Sequence, residues 1–446
     1  MKLKKLLWLC AFASFLPLHS PGQAKADFSV KADQYIRPYV ETNNFNGSVL
    51  VAVNGKIIFE KAYGYANLEF NVPNDQNTSY HLASVSKTFT AAAILILEQR
   101  KLLSTNDFIS KYLPDFPSGN TITIHHLLSH TSGITNVNDL IEYQTASLLH
   151  QTPESLIALF KDKPLVFKPG VRYQYSNSNY NVLAFIIEKV SGKTYGDFLS
   201  ENIFKPLHMD NTLHHNDAGR IIKNCAEGYA SDGNFGLQKA AYFDWSSKTG
   251  NGSIVSTTHD LLAWDRALYA EEILTAESKK KMFTQYAGSG YGWYLGKRFD
   301  KDCIYMNGRS PGFCSNISRY PMEGLCIVVL ENNYITTASK IGTDLAGIYF
   351  NQPIETPDLT LARVKKEESN LMVGRYQFGA DFYRPNFVMT ITERDGFLYS
   401  DWGELISSKP FQFIQRDYWS AVSFTKASDG KINAMMFDNF SGKKTD

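Results

Sequence analysis

The stretch Ser84-Val85-Ser86-Lys87-Thr88-Phe89-Thr90-Ala91-Ala92-Ala93-Ile94-Leu95-Ile96-Leu97 decides how the rest of the chain is read. Over residues 84–99 the pattern is helical and apolar nearly all round, which predicts a central, buried helix. A lysine at the start of such a helix is an expensive choice unless it is used. Positions i and i+3 share a helix face, so the Lys87 amine can reach the Ser84 hydroxyl. Burial disfavours the ammonium form, and a neutral amine can accept the hydroxyl proton. The helix N-terminus adds partial positive charge where an oxyanion would form.

Ser-x-x-Lys also occurs at Ser278, Ser423, Ser428 and Ser441. Ser278 stands beside Lys279-Lys280-Lys281, a solvated charge run, and the other three fall in or at the end of a strand-rich tail. Only Ser84 opens a long buried helix. The plain alternative there is a capping serine followed by an exposed lysine.

Outward from this helix, residues 47–53 alternate into Asn54-Gly55 and resume over 56–63, the pattern of a β-hairpin. An amphipathic segment over residues 28–42 precedes it. Residues 104–240 mix short helical patterns with turns such as Lys168-Pro169-Gly170, and include a helix over 181–190 stopped by Gly192. This reads as a mainly helical insert. Strand-like runs return over 291–298, 313–319 and 326–330, with a helix over 337–349, so the sheet is expected to be built from both ends of residues 27–350. Pro353, Pro357 and Lys365-Lys366-Glu367-Glu368 give residues 351–370 the composition of a linker. Residues 371–446 then predict a small all-β module, with strands over 387–392, 397–400, 419–424 and 431–437 and turns at Asp395-Gly396 and Asp429-Gly430.

The 446 residues are 43% hydrophobic and 20% charged, which excludes a disordered or fibrous protein. Lys plus Arg total 45 against 44 for Asp plus Glu, leaving no basic excess to hold nucleic acid. Lys2, Lys4 and Lys5 precede an apolar run over 6–18 that leads to Ala24-Lys25-Ala26. This predicts a signal peptide over residues 1–26, and an exported protein, periplasmic or extracellular. Pro17 and His19 interrupt the run before it could serve as an anchor, and no later stretch could span a bilayer. Cys225, Cys303, Cys314 and Cys326 lack C-x-x-C spacing, so they read as buried thiols or as holding one disulfide. His125, His126 and His130 cluster, and His214 adjoins His215. No Glu follows His126, so these read as structural histidines; no metal and no cofactor is expected.

The chain resembles the serine β-lactamase and penicillin-binding-protein superfamily, in its class C-like branch of D-alanyl-D-alanine carboxypeptidases, β-lactamases and esterases. The resemblance covers about residues 35–350. It rests on Phe45-Asn46-Gly47-Ser48-Val49-Leu50-Val51, Ser84-Val85-Ser86-Lys87, Leu127-Leu128-Ser129-His130-Thr131-Ser132-Gly133-Ile134 and Phe167-Lys168-Pro169-Gly170. Tyr175-Ser176-Asn177, Gly252-Ser253-Ile254-Val255-Ser256-Thr257, Asp260-Leu261 and Pro311-Gly312-Phe313 follow in order. It implies an α/β fold of the β-lactamase/transpeptidase type, an antiparallel sheet with helices and a mainly helical subdomain.

The resemblance also implies roles. Ser84 would be the acylated nucleophile and Lys87 its proton acceptor, with Tyr175 in the proton relay. Asn177 would bind the substrate amide, and His130 would support the fold. Beside Gly308, the backbone amides of Ser84 and Arg309 would be the oxyanion donors. One departure stands out: the third motif usually begins with Lys or His, and here it is Met306-Asn307-Gly308. The literal Lys-Thr-Gly at Lys248-Thr249-Gly250 precedes a different element and is read as a chance match. Met306 removes a cation that would lower the Tyr175 pKa and anchor a substrate carboxylate. The Arg309 side chain is a candidate replacement. The expected function is an exported serine hydrolase that cleaves a small-molecule or peptide ester or amide through an acyl-enzyme, with neutral substrates preferred. A catalytically impaired ligand- or cell-wall-peptide-binding protein that keeps the fold is the alternative.

Overall fold

The computed structural model describes residues 21–445. The signal peptide expected over residues 1–26 lies outside the described residues, apart from 21–26 at the start of helix α1 (Pro21–Glu41). Strands β1 (Gly47–Val53) and β2 (Lys56–Tyr63) form the predicted hairpin. Its turn residues Asn54 and Gly55 both have positive φ, 49° and 77°, as a two-residue turn of this hand requires.

The Ser-x-x-Lys segment enters helix α2 (Ser86–Gln99) through a 3-10 turn at Ala83–Val85. Every residue from Ser86 to Leu97 is buried, as the all-round apolar pattern demands. Helix α3 (Asn177–Ser191) begins four positions ahead of its predicted start and ends at Gly192, which caps it with φ 69°. Between α2 and α3, short helices start at threonine caps, Thr123 and Thr152.

The main sheet has six strands, antiparallel throughout. Its order is β3 (Tyr294–Arg298), β4 (Lys301–Ser310), β5 (Phe313–Tyr320), β6 (Leu325–Glu331), β1, β2. Gly47 pairs with Glu331 and Val53 with Leu325, so the two ends of the region meet at the sheet centre. Side chains alternate between two cores. Val49 and Val51 of β1, with Ile327 and Val329 of β6, pack against α1 and helix α4 (Ala338–Tyr349). Leu50, Ala52, Val328 and Leu330 face the α2 core. Cys303, Cys314 and Cys326 lie on β4, β5 and β6; these and Cys225 are free thiols, so no disulfide joins them.

Residues 351–365 hold no helix or strand, and Lys366–Met372 is helical. Eight antiparallel strands follow, from Gly374–Gln377 to Phe440–Lys444, closed into a barrel where Tyr376 pairs with Lys444. Closure leaves no sheet edge, and inward residues such as Met389, Ile391, Leu398, Phe413 and Met435 fill the interior. The barrel is docked by Arg416, which is fully buried. Its guanidinium pairs with Glu404 at 3.0 Å and donates to Asn44 Oδ1 (2.8 Å) and the Asn43 carbonyl (3.1 Å). Among the described residues no helix is long and apolar enough to cross a membrane.

Candidate active site

Ser84 sits on the 3-10 turn, one helical turn ahead of Lys87, and is the partly exposed residue in an otherwise buried run. The Lys87 amine stands 3.0 Å from Ser84 Oγ. It also donates to Asn177 Oδ1 at 2.8 Å and to the Asn251 carbonyl at 2.7 Å. No carboxylate pairs with it among the described residues. Burial, and then the charge of Lys248, drive its pKa well below the ordinary lysine value. A neutral amine fits this surround: its two N–H bonds satisfy Asn177 and Asn251, and its lone pair is left for the Ser84 proton.

Tyr175 reaches the same hydroxyl from the helical subdomain, with its phenol oxygen 2.7 Å from Ser84 Oγ. Burial raises its pKa, Tyr294 adds to this, and the bond to Ser84 opposes it. A phenol held protonated in this way can donate to Ser84 Oγ but is poorly suited to take its proton. His130 lies flat beneath it, ring centroids 4.6 Å apart, and accepts from the Ser176 amide at 3.2 Å. Burial first, and then the neighbouring Lys87, pull the His130 pKa down to about 3, so this ring is a neutral support. Asn177, the first residue of α3, is held by its neighbours. Its amide N–H donates to Asn136 Oδ1 (2.9 Å) and its Nδ2 to Asn138 Oδ1 (2.7 Å).

Strand β4 forms the opposite wall. Strand β3 pairs with β4 only as far as Tyr305, so the edge from Met306 to Ser310 has no strand beside it and faces the Ser84 turn. Gly308 is obligatory there. A Cβ at this position would stand 2.3 Å from the Leu82 carbonyl and 2.8 Å from the Ser84 nitrogen. Ser315, paired with Gly308 on β5, donates to the same Leu82 carbonyl at 2.7 Å. Met306 is buried in the α2 core.

The Arg309 side chain does not take the place of the missing cation. It alternates to the face away from Gly308 and lies between Tyr334 and Tyr418 of the barrel. Asn251 and Asn138 are site neighbours that sequence reasoning missed, and Lys248 is one that it set aside as a chance match. The Lys-Thr-Gly at 248–250 is a turn rather than a strand, yet it abuts the site: the Gly250 carbonyl accepts from Thr90, and the Asn251 carbonyl from Lys87. Lys248 is buried beside the Tyr143 and Phe243 rings and has no carboxylate partner among the described residues.

The other two histidines of the 125–130 cluster are hydrogen-bonded within the protein. His125 Nδ1 lies 2.6 Å from the Tyr291 hydroxyl, and His126 Nδ1 accepts from the Thr123 amide in a capping box. Among the described residues no group of three or more His, Cys, Asp or Glu could hold a metal ion.

The family model described as Beta-lactamase matches residues 32–345, the whole span that carries these groups. The chain belongs to the Beta-lactamase family. Its family relatives include penicillin-binding protein 4* of Bacillus subtilis, 29% identical over 90% of this chain and 94% of that one. The putative penicillin-binding protein PbpX of the same organism is 34% identical over 70% of this chain and 77% of the relative. The octameric penicillin-binding protein homologue from Pyrococcus abyssi shares the fold with a TM-score of 0.68 at 23% identity. It covers 93% of this chain and 99% of its own, so the shared architecture extends past the residues that the Beta-lactamase model matches. The family is one of β-lactamase and penicillin-binding-protein type serine hydrolases, and this chain shares that class.

Proposed function

We propose that this is an exported serine hydrolase that cleaves an ester or amide of a small molecule or peptide through an acyl-enzyme on Ser84. One observation carries the reading: a buried amine without a counter-ion, 3.0 Å from a partly exposed serine hydroxyl. In the first step the Ser84 proton passes to Lys87, Oγ bonds to the carbonyl carbon, and charge moves onto the carbonyl oxygen. The backbone N–H groups of Ser84 and Arg309 are the donors proposed for that oxygen, with Gly308 pressed on the Ser84 turn between them. The Tyr175 phenol then gives its proton to the leaving group as its bond breaks, and the Lys87 ammonium returns the serine proton to the phenolate. Water releases the acyl group with the proton flow reversed, giving the acid and free enzyme. Asn177 Nδ2, now bonded to Asn138, is the group available to a substrate amide.

Met306 supports a preference for neutral esters or amides over carboxylate-bearing substrates, because β4 offers no cation to an anionic group and the Arg309 guanidinium points elsewhere. The same residue favours a second reading, a ligand-binding protein that acylates poorly. Intact-mass spectrometry after a fluorophosphonate, with Ser84→Ala as control, separates the two: labelling confined to the parent protein supports the hydrolase, and no labelling overturns it. Turnover of a short-chain aryl ester faster than a chromogenic cephalosporin is expected. The reverse order would overturn the neutral preference and point to Lys248 as a carboxylate anchor.

A further inference from the structure

We propose that the C-terminal barrel positions the oxyanion strand of the hydrolase, with Arg309 and Tyr418 as the positioning residues. The inference rests on the reading of Ser84 and the Arg309 N–H given above.

The part of β4 that faces Ser84 has, among the described residues, no strand partner on its outer edge beyond Tyr305. Support comes through a side chain instead. The Arg309 guanidinium carbon is 3.6 Å from the Tyr334 ring centroid and 4.3 Å from that of Tyr418, an arginine held between two aromatic faces. Its Nη2 donates to the Tyr334 carbonyl at 3.2 Å and reaches the Asp417 carbonyl at 3.5 Å. The Asp417 carbonyl also accepts from the Thr336 amide (3.1 Å) and hydroxyl (2.9 Å), so one barrel carbonyl gathers two segments of the catalytic region.

The barrel loop can act as a fixed support because it is pinned on both sides of Tyr418. Arg416, two residues before, is locked by Glu404 and the Asn43 and Asn44 groups. Trp419, one residue after, packs on Tyr39 of α1 with ring centroids 5.2 Å apart. Because side chains alternate along a strand, fixing the Arg309 side chain on one face fixes the direction of its own main chain, and Gly308 remains pressed on the Ser84 turn.

The test uses the full-length protein with an aryl ester and its thionoester, whose sulfur is a poor hydrogen-bond acceptor. Tyr418→Ala and Arg309→Met are each expected to lower kcat for the ester by roughly tenfold to a hundredfold, part of the loss that follows removal of a whole oxyanion donor. KM stays within about twofold, and the ester-to-thionoester rate ratio falls. Tyr418→Phe keeps the stack and restores the parent values. Phe397→Ala, which removes a barrel contact with Phe235 away from Arg309, controls for general loosening of the joint and leaves kcat and the ratio unchanged. The inference is overturned if Tyr418→Ala and Arg309→Met leave kcat and the ratio at parent values, or if Phe397→Ala lowers them equally. Ester hydrolysis surviving in Ser84→Ala would instead sink the underlying serine reading.

Discussion

In the proposed reaction Lys87 is the base, and no carboxylate among the described residues pairs with it. Replacing it by Met keeps the bulk and removes the base, and kcat/KM for an aryl ester is expected to fall by about 10²–10⁴-fold. The pH profile tests its state directly. Only the neutral amine accepts the Ser84 proton, so kcat/KM declines as pH drops through the depressed Lys87 pKa. Lys248 contributes to that depression as a like charge. Lys248→Met therefore raises the Lys87 pKa and moves the acid limb of the profile to higher pH. A limb that stays put, or moves down, would show that the Lys248 charge is not felt at the base.

The element that couples these groups is β4. Gly308→Ala would push the strand off the Leu82 carbonyl and the Ser84 nitrogen. The acylation rate, followed by mass, is expected to drop by roughly 10²-fold, as when an oxyanion donor is lost. This strand was also the hardest to read from sequence. The β1–β2 hairpin announces itself through Asn54-Gly55 between alternating runs, and β5 and β6 are buried along their whole length. Strand β4 begins Lys301-Asp302, carries Asn307 and Arg309, and alternates buried with half-buried residues, because one edge faces a cleft and one face meets the barrel. Its polar residues answer to tertiary partners that no local pattern reveals. The same holds for Asn251, whose contribution is a carbonyl oxygen and leaves no trace in residue type. Ser84, Lys87, Tyr175 and Asn177, by contrast, were legible and meet in space, since each side chain is the group in contact. In the tail, Gly374–Gln377 and Gln412–Gln415 are short and polar, so the module was visible while its closure into a barrel was not.

At the scale of the whole molecule the barrel joint holds two acidic groups with different consequences. Arg416→Met would strand the fully buried Glu404 carboxylate without its cation, and the expected loss is about 3–5 kcal/mol, read by chemical denaturation. Asp417 lies beside it, its pKa pushed up to about 6 by burial and by Glu404, against the pull of Arg309 and Arg416. A carboxyl raised on folding binds its proton more tightly in the native state, so stability falls as pH rises from about 4 to 6. Asp417→Asn is expected to flatten that slope and to be the more stable protein at pH 7. An unchanged slope would mean that the joint opens before the carboxyl titrates.

The meeting of Gly47 with Glu331 at the sheet centre has a temporal meaning as well. A ribosome releases the first hairpin long before its neighbour exists, so β1 must wait, the N–H and C=O groups of one edge unpaired by a strand, until β6 emerges. Assembly is therefore a late, all-at-once event of high contact order and slow refolding. Such a nascent chain stays threadable through a narrow conduit for most of its synthesis, which is what the export proposed above would require.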